Sequence, residues 1–314
     1  MTSFITQQPL LGMDINPSHI SIVQCQKRRH KYQLEYMASQ ETSADLFHDG
    51  KIEDWDLLKS ILAPMLDPVK KTSTVAISLS TQLVRMQKAV LPYGLSRIEI
   101  ENEIYQNMQR DLPGMNYPLY IDYITIPREE RGYIDVHFIA ARQEYITNYI
   151  DCLNALGFQI KVIDIDVYAL KRALDSILPK ARDAKETNTI LYFSSCTVSL
   201  FVYDSKGIII HHQFFDQNMA DKNAEQMKSW VNELYQTIQI DLSNQFTIVI
   251  SPSCRNKTIY QSSLWLDQSK ALIFVSPSLS ELISSAKNVN AFSYSTRHDH
   301  LIALGLAMQE SPRW

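Results

Sequence analysis

Few residues of the sequence have the type and spacing that catalysis or metal binding needs. Asp164 and Asp166 alternate along one predicted strand face and could form a carboxylate pair; the alternative is that they cap the following helix and line a cleft. His211 and His212 are neighbours on a predicted strand, so their side chains point to opposite faces and do not share one metal ion. The four cysteines lie far apart without a C-x-x-C pair, which indicates reduced thiols rather than a zinc site. We therefore expect no catalytic residue and no metal centre.

The composition and net charge of the chain argue against several classes of function. The chain has 314 residues, of which 45% are hydrophobic, and a net charge of −4, which argues against a nucleic-acid partner. Only eight glycines are present, so glycine-rich phosphate loops are scarce. The sequence starts without a signal-peptide pattern and contains no apolar run of about 18–20 residues, so we expect a cytoplasmic protein.

Residues 83–158 predict a compact β-α-β-β-α module. Ser96 stands three residues before Glu99, which is a capping box that opens a helix. Gly157 is well placed as the left-handed stop of a second helix that begins at about Glu144. The segments on both sides have a different character, which indicates that this module is inserted into a larger fold.

The flanking segments repeat one scheme of a three-strand meander, a helix and a further strand. Thr74–Leu79 is predicted to pair parallel to Leu10–Ile15, because a helical crossover separates the two. We also expect helices at 224–241, 276–285 and 299–309. The duplication predicts a two-lobed α/β fold with a cleft. The expected boundaries are 9–82 with 159–181 for the first lobe, 83–158 for the inserted module, and 187–314 for a shortened second lobe whose last helix returns to the first.

Several motifs resemble known families. Leu11–Ile15, opening a meander, is similar to the first phosphate motif of actin-like ATPases, and the inserted module resembles that of FtsA-like proteins. Further stretches resemble the PilM family, the actin-like cytoplasmic component of type IV pilus assembly; they are Gly50–Asp54, Ala140–Arg142, Leu156–Phe158, Val162–Leu170 and Ala303–Met308. The resemblance is good over residues 10–178, weak over 186–300, and returns at the last helix. It implies a two-lobed actin-like (FtsA/PilM-like) α/β fold with an inserted SHS2-type subdomain.

By the same resemblance, two hairpin loops would hold a nucleotide, and both depart from the pattern. In the first loop Asp14 and Ser18 are retained, whereas Asn16 replaces the usual glycine; asparagine tolerates a left-handed conformation, which would allow the turn to persist. The second loop should carry Asp-x-Gly but reads Tyr-Phe-Ser-Ser, with Ser194 as its third residue. We expect no required cofactor and no ATP hydrolysis, and weak binding of Mg-ATP stays open.

The resemblance also implies a partner, the cytoplasmic N-terminal tail of a PilN-like bitopic membrane protein. The tail would lie in a groove between the first lobe and the module, and the candidate contacts are Arg85, Tyr120, Tyr123, Arg142, Asp166 and Tyr168. For each tyrosine, core packing with a satisfied hydroxyl is the alternative. We expect a non-catalytic scaffold, peripheral to the inner membrane, that supports pilus assembly, twitching or DNA uptake and contacts other platform or motor components. Self-association, an ATP-hydrolysing FtsA-like filament former and a GspL-like type II secretion component remain as alternatives.

Overall fold

The fold is described from a computed structural model of the chain. The description covers residues 10–28, 31–71, 73–112, 114–128, 132–177, 188–193, 197–204, 206–215, 246–250, 272–275, 283–284 and 300–309, with single helical positions at 226, 229 and 233.

The first lobe begins with the predicted meander. Strands β1 (Leu10–Ile15), β2 (His19–Arg28) and β3 (Lys31–Glu41) pair antiparallel in sequence order. They are followed by a short hairpin, β4 (Phe47–His48) with β5 (Lys51–Ile52), helix α1 (Trp55–Leu66), and strand β6 (Thr74–Leu79). The predicted parallel pairing of β6 with β1 is confirmed. Helix α1 begins where the Asp54 carboxylate accepts the Leu57 N–H at 2.8 Å, which satisfies one of the unpaired donors of its first turn.

The inserted module follows as β7 (Val84–Pro92), α2 (Arg97–Asp111), β8 (Leu119–Pro127), β9 (Tyr133–Arg142) and α3 (Gln143–Ala155). Its sheet has the order β7-β9-β8, and α2 covers one face through a core of its own. The predicted capping box is confirmed, because the Ser96 side chain accepts the Glu99 N–H and Glu99 accepts the Ser96 N–H. Gly157 follows α3 with φ of 82°, as predicted.

The chain then returns to the first sheet. Strand β10 (Gln159–Ile165) pairs parallel to β6 and leads directly into α4 (Asp166–Ile177). The second lobe repeats the meander with β11 (Asn188–Phe193), β12 (Val198–Tyr203) and β13 (Ile209–Phe215). Strands β14 (Phe246–Ile250) and β15 (Leu272–Val275) add in parallel, and the sheet order is β13-β12-β11-β14-β15. The predicted helix at 224–241 is described only at Gln226, Ser229 and Glu233, which are helical.

The prediction of a helix over 276–285 is wrong at its C-terminal end. Ile283–Ser284 forms a short strand, β16, that pairs parallel with β3 at the edge of the first sheet. The open edge of β3 offers backbone hydrogen bonds there, and such tertiary pairing overrides a local helical preference. The first sheet therefore has the order β10-β6-β1-β2-β3-β16.

The last described helix, α5 (Leu301–Ala307), joins the parts of the fold. It packs between α4 and β1 and is buried along its whole length. Its approach depends on two glycines, since a Cβ at Gly12 would overlap the Ala303 carbonyl oxygen and one at Gly305 would overlap that of Ala169. From the second lobe, Tyr203 enters the same core and its hydroxyl donates to the Val167 carbonyl at 3.0 Å. None of the described helices is both long and apolar enough to cross a membrane.

Candidate functional site

A cavity of ≈ 300 Å³ lies between the two lobes, where an actin-like fold holds its nucleotide. We call it the interlobe cavity. The first lobe contributes the β1–β2 turn, Ser78 and the start of α4. The second lobe contributes mainly aromatic and hydroxyl side chains, namely Tyr192, Thr197, Ser199, Phe201 and Phe214.

The backbone N–H groups of the β1–β2 turn are hydrogen-bonded within the turn itself. The Asn16 side-chain oxygen accepts the N–H groups of Ser18 at 3.0 Å and of His19 at 3.1 Å, while the Asn16 N–H donates to the His19 carbonyl. Pro17 has no N–H. Asn16 does not use the left-handed conformation that asparagine tolerates, because Asp49 is the only non-glycine residue with positive φ in the described ranges. The turn is instead held by the Asn16 side chain, and its N–H groups are not free to bind a phosphate.

Asp14 is also engaged within the protein. Its carboxylate is 2% exposed and accepts the Ser78 hydroxyl at 2.5 Å and the Asn16 amide at 2.8 Å. A Mg²⁺ ion or its water ligands would have to displace these bonds. Across the cavity, the described residues of the second lobe provide no carboxylate, and Ser194 lies outside the described residues. The described residues around the cavity therefore do not fit Mg-ATP.

Asp166 lies on the wall of the same cavity. Its carboxylate accepts the N–H and hydroxyl of Thr81 and the N–H of Val167, which connects the start of α4 to the segment before the module. Burial raises the pKa of this carboxyl group from 3.8 to about 6, and the hydrogen bonds from Thr81 oppose that shift. Asp166 therefore takes up its proton in mildly acidic solution.

A second depression, of ≈ 450 Å³, lies between the first lobe and the module alone. We call it the α1–α3 groove. One wall is the β5 segment with Trp55 at the start of α1, and the other is the exposed face of α3. The residues that line it are Lys51, Ile52, Glu53, Trp55, Leu83, Glu144, Tyr145, Asn148 and Tyr149. Half-buried apolar and aromatic side chains form its floor and charged side chains its rim, an arrangement typical of protein-binding surfaces.

The aromatic floor of this groove is held together by ring packing. Trp55 and Tyr149 meet edge to face, with ring centroids 5.1 Å apart and an interplanar angle of 89°. Tyr149 is buried, whereas Trp55 and Tyr145 keep part of their surface open to solvent. A side chain entering the groove would therefore meet a surface that is already ordered, which lowers the entropy cost of binding.

A third and larger depression, of ≈ 770 Å³, lies where the module sheet faces α4 and the β12–β13 hairpin. We call it the hairpin groove. Its floor is the face of the module sheet that α2 leaves open, with Met86, Ile124 and Ile139. Its other walls are Tyr168 and Arg172 of α4 and residues 206–212 of the hairpin. None of its lining residues also lines the α1–α3 groove.

Of the six residues expected to contact the partner, Arg142 lies beside the α1–α3 groove and Tyr120 lies near the start of α3. Arg142 ends β9, and its guanidinium stacks 4.0 Å over the Tyr117 ring and 5.9 Å from the ring of Tyr145, a lining residue. Tyr120 is 46% exposed, and its hydroxyl accepts the Gln143 side-chain amide at 3.4 Å. Only Arg142 therefore contacts a lining residue of the groove.

The other four lie elsewhere, so the structure does not bring the six residues to one groove. Tyr168 lines the hairpin groove, and its hydroxyl accepts the Ile209 N–H. Tyr123 borders that groove but packs into the core beneath α2. Arg85 is exposed near His212, whose pKa is lowered by burial, His211 and then Arg85. Asp166 belongs to the interlobe cavity.

The sequence analysis did not single out the floor of the α1–α3 groove. One signal was present, because Tyr145, Asn148 and Tyr149 have the spacing that places three side chains on one helix face. Trp55, on the opposite wall, begins α1. No local pattern indicated that these two elements face each other.

Two comparisons identify the relatives of the chain. Residues 12–228 match the family described as Type IV pilus assembly protein PilM. The fold is similar to that of the PilM-PilN type IV pilus biogenesis complex, with a TM-score of 0.72 and 18% identity over 95% of this chain and 97% of that chain. It is also similar to the cytoplasmic domain of EpsL, an inner membrane component of the type II secretion system of Vibrio cholerae, with a TM-score of 0.52 and 11% identity over 96% and 95% of the two chains. Since the family match spans more than half of the chain, the protein belongs to the PilM family of type IV pilus assembly proteins.

Proposed function

We propose that this protein is a non-catalytic scaffold of type IV pilus assembly that binds the cytoplasmic N-terminal tail of a PilN-like membrane protein in the α1–α3 groove. Membership of the PilM family supports the pilus role. The likeness to a PilM-PilN complex supports the choice of partner. The groove supports the choice of site, because it lies between the first lobe and the module and exposes aromatic surface.

The observation that carries this proposal is the half-buried aromatic floor of the groove. Buried aromatic anchors supply most of the free energy of small protein interfaces, and a short peptide needs such anchors because it buries little area. Trp55 and Tyr145 provide them from opposite walls. Arg142 stands beside Tyr145 as a donor for a carbonyl or carboxylate of the tail.

The charged side chains on the rim would determine the orientation of the bound tail. Lys51 lies on the β5 wall, while Glu53 and Glu144 lie on either side of the groove opening. A tail with a positive N-terminal amine would be favoured near the two glutamates, and an acidic side chain near Lys51. By this arrangement the scaffold acts at the inner face of the cytoplasmic membrane, where the tail of a bitopic partner emerges.

The interlobe cavity supports the non-catalytic part of the proposal. A nucleotide would require the β1–β2 turn to release the N–H groups that Asn16 holds and Asp14 to release Ser78. It would also have to displace Tyr192 and Phe214 from the opposite wall. These contacts argue against an ATP-driven filament former, and the likeness to EpsL is one of fold alone.

The test is a titration of the full-length chain with a fluorescent peptide copied from the N-terminal tail of the PilN-like partner, with and without Mg-ATP. We expect micromolar or tighter binding that is insensitive to Mg-ATP. Tyr145→Ala and Trp55→Ala should each weaken it at least about tenfold, because losing an interface anchor costs about 2 kcal/mol or more. Arg142→Ala should weaken it less.

The matched control is Tyr93→Ala, since Tyr93 is 75% exposed at the far end of the module and lines neither groove. This variant should bind the tail as the wild type does. Binding that appears only with Mg-ATP would contradict the non-catalytic assignment. Binding that Tyr93→Ala and Tyr145→Ala weaken equally would contradict the choice of groove.

A further inference from the structure

A run of basic residues joins the two longest strands of the first sheet. Lys27 and Arg28 end β2, Lys31 begins β3, and Arg29 and His30 stand between them in the sequence. We call Lys27, Arg28 and Lys31 the basic tip. Strand β2 and the first four residues of β3 contain no acidic residue, although the whole chain has a net charge of −4. The positive charge is therefore concentrated at one place.

The strand register places the basic tip at one end of the first sheet. Strand β2 begins at the turn that lines the interlobe cavity, so the tip lies at the opposite end. The last pair of the hairpin is Arg28 with Lys31. The described pairing of β1 with β2 ends at Gln24, and β16 pairs with β3 from Tyr32 onwards. At about 3.3 Å per residue, Arg28 lies roughly 13 Å beyond the pairing with β1.

The charges of the tip are not neutralised along the hairpin. The nearest acidic residue of β3 is Glu35, four residues from Lys31 and therefore roughly 13 Å away along the strand. Salt screens exposed charges over about 8 Å at physiological ionic strength, so Glu35 compensates the tip only weakly. Like charges at paired positions, here Arg28 and Lys31, destabilise a strand pair. An anionic surface in front of the tip would reduce this repulsion.

The loop between α1 and β6 lies at the same end of the sheet and does not cancel the positive charge. The Gln24 side-chain amide donates to the Ser73 hydroxyl at 3.2 Å, which connects β2 to this loop. Residues 67–73 contain Lys70 and Lys71 against the single acid Asp67. The loop therefore adds one net positive charge beside β2.

The form of the tip favours a broad anionic surface over a small ligand. Its residues line none of the three depressions described above, so none of these would enclose a phosphate group against the tip. A bilayer with anionic lipids attracts each nearby Lys or Arg, which strengthens binding by about fivefold per residue. A nucleic acid would extend its phosphates past the tip along the remainder of the chain, which is acidic and repels them.

From these observations we propose that the basic tip contacts the anionic lipid head groups of a membrane directly. The four cations of the run, Arg29 included, would give a partition coefficient on the order of 10³ M⁻¹. This value is too low to hold the protein on a membrane alone, and stable attachment needs a second contact. Only this last step rests on the proposed function, in which the tail of the PilN-like protein supplies the second contact.

The experiment measures co-sedimentation of the full-length chain with vesicles, in the absence of any peptide. Vesicles of equal parts phosphatidylglycerol and phosphatidylcholine should bind the chain, and vesicles of phosphatidylcholine alone should not. Raising the salt concentration from about 0.05 M to about 0.5 M should release it. The triple variant Lys27→Gln/Arg28→Gln/Lys31→Gln should lower the partition coefficient at least about tenfold.

The matched control neutralises three exposed cations elsewhere, as Arg97→Gln/Arg110→Gln/Lys206→Gln. It has the same net charge as the tip variant and should change the partition coefficient less than about twofold. Glutamine suits the strands of the tip, because Gln26 and Gln33 already form a pair there. Circular dichroism should show that both triple variants unfold as the wild type does.

The proposal is overturned if the two kinds of vesicle bind equally, if neither binds, or if the two triple variants lose binding equally. Binding of duplex DNA that the tip variant loses, without binding of vesicles, would identify a nucleic acid as the partner instead. Tyr145→Ala in the α1–α3 groove should bind vesicles as the wild type does, and the tip variant should keep its affinity for the tail peptide. Failure of lipid binding is therefore distinguishable from failure of tail binding.

Discussion

The interlobe cavity and the α1–α3 groove are both depressions between parts of one chain, yet they use their side chains differently. In the cavity, Asp14 and Asn16 direct their hydrogen bonds to each other and to the neighbouring backbone. In the groove, Trp55 and Tyr145 remain half-buried with part of their surface open.

The difference indicates where binding free energy is available. A cleft whose polar groups are satisfied internally contributes to stability, and a ligand there must first break existing bonds. A cleft with ordered aromatic surface still open to solvent gains free energy when a partner covers it. We therefore expect variants around the cavity to change the free energy of unfolding. Variants around the groove should instead change the affinity for the tail peptide.

The largest expected effect is on the packing behind the cavity. Gly305→Ala should lower the free energy of unfolding by more than about 4 kcal/mol, because the new methyl group overlaps the Ala169 carbonyl and α5 must move. Denaturant unfolding followed by circular dichroism measures it. The matched control is Gly114→Ala, where nothing lies within 4 Å of the new Cβ and only the positive φ of 90° is strained, at about 1–2 kcal/mol. Equal losses in both variants would contradict the role of the close contact.

Asp166 gives the next largest effect. Its pKa is about 6 in the folded chain and 3.8 when unperturbed, so the folded state holds the proton more tightly than the unfolded state. The contribution of Asp166 to the free energy of unfolding therefore falls as the pH rises from about 4 to 6. Above that range it no longer changes. Asp166→Asn removes this term, so its stability relative to wild type should rise by on the order of 2–3 kcal/mol between pH 4 and pH 7.

Denaturant unfolding at several pH values tests this expectation, with Asp67→Asn at an exposed position as the control. A flat difference for Asp166→Asn would show that the carboxyl group is not held in this way. A change in tail-peptide affinity at neutral pH would show that the cavity and the groove are coupled.

Asn16→Ala, a variant in the interlobe cavity, should have a smaller effect on the free energy of unfolding. The variant loses the side-chain oxygen that accepts the Ser18 and His19 N–H groups, and it should be destabilised by about 1 kcal/mol. Asn102→Ala on the exposed surface of α2 serves as the control and should cost little. Affinity for the tail peptide should be unchanged in both, and a tenfold loss in Asn16→Ala would break the separation between cavity and groove.

The smallest expected effect is on the affinity of the α1–α3 groove for the tail peptide. Arg142→Lys keeps the charge but loses the planar guanidinium that stacks on Tyr117 at 4.0 Å. Tail affinity should fall about two- to threefold, in keeping with the modest worth of an exposed cation–π contact. Arg97→Lys at the start of α2 is the control, and unchanged affinity in both variants would show that Arg142 does not contribute through stacking.

Much of the fold was predictable because its signals are local. The capping box at Ser96 and Glu99 and the glycine at 157 depend on spacings of a few residues, and the parallel pairing of β6 with β1 follows from the crossover between them. The backbone conformation of Asn16 was not predictable from the sequence, because asparagine both tolerates a left-handed conformation and caps a turn. Only the surrounding chain decides between the two.

The candidate site was harder to predict, because it depends on which elements face each other. The spacing of Tyr145, Asn148 and Tyr149 marks one face of α3, but nothing in that segment encodes the β5 segment opposite. The short strand at Ile283–Ser284 was hard to predict for the same reason, since its partner β3 lies some 250 residues earlier in the chain. Residues that are neighbours only in the folded state leave no periodic signal.

The position of α5 has a consequence for biosynthesis. Strand β1 leaves the ribosome about 290 residues before the helix that packs on it, which at 5–20 residues per second is roughly 15 to 60 s of elongation. During that interval the surface around Gly12, which α5 will cover, has no intramolecular cover. A nascent chain interrupted before residue 300 therefore lacks the helix that buries this sheet face, and we expect it to be more susceptible to chaperones and proteases than the chain that contains α5.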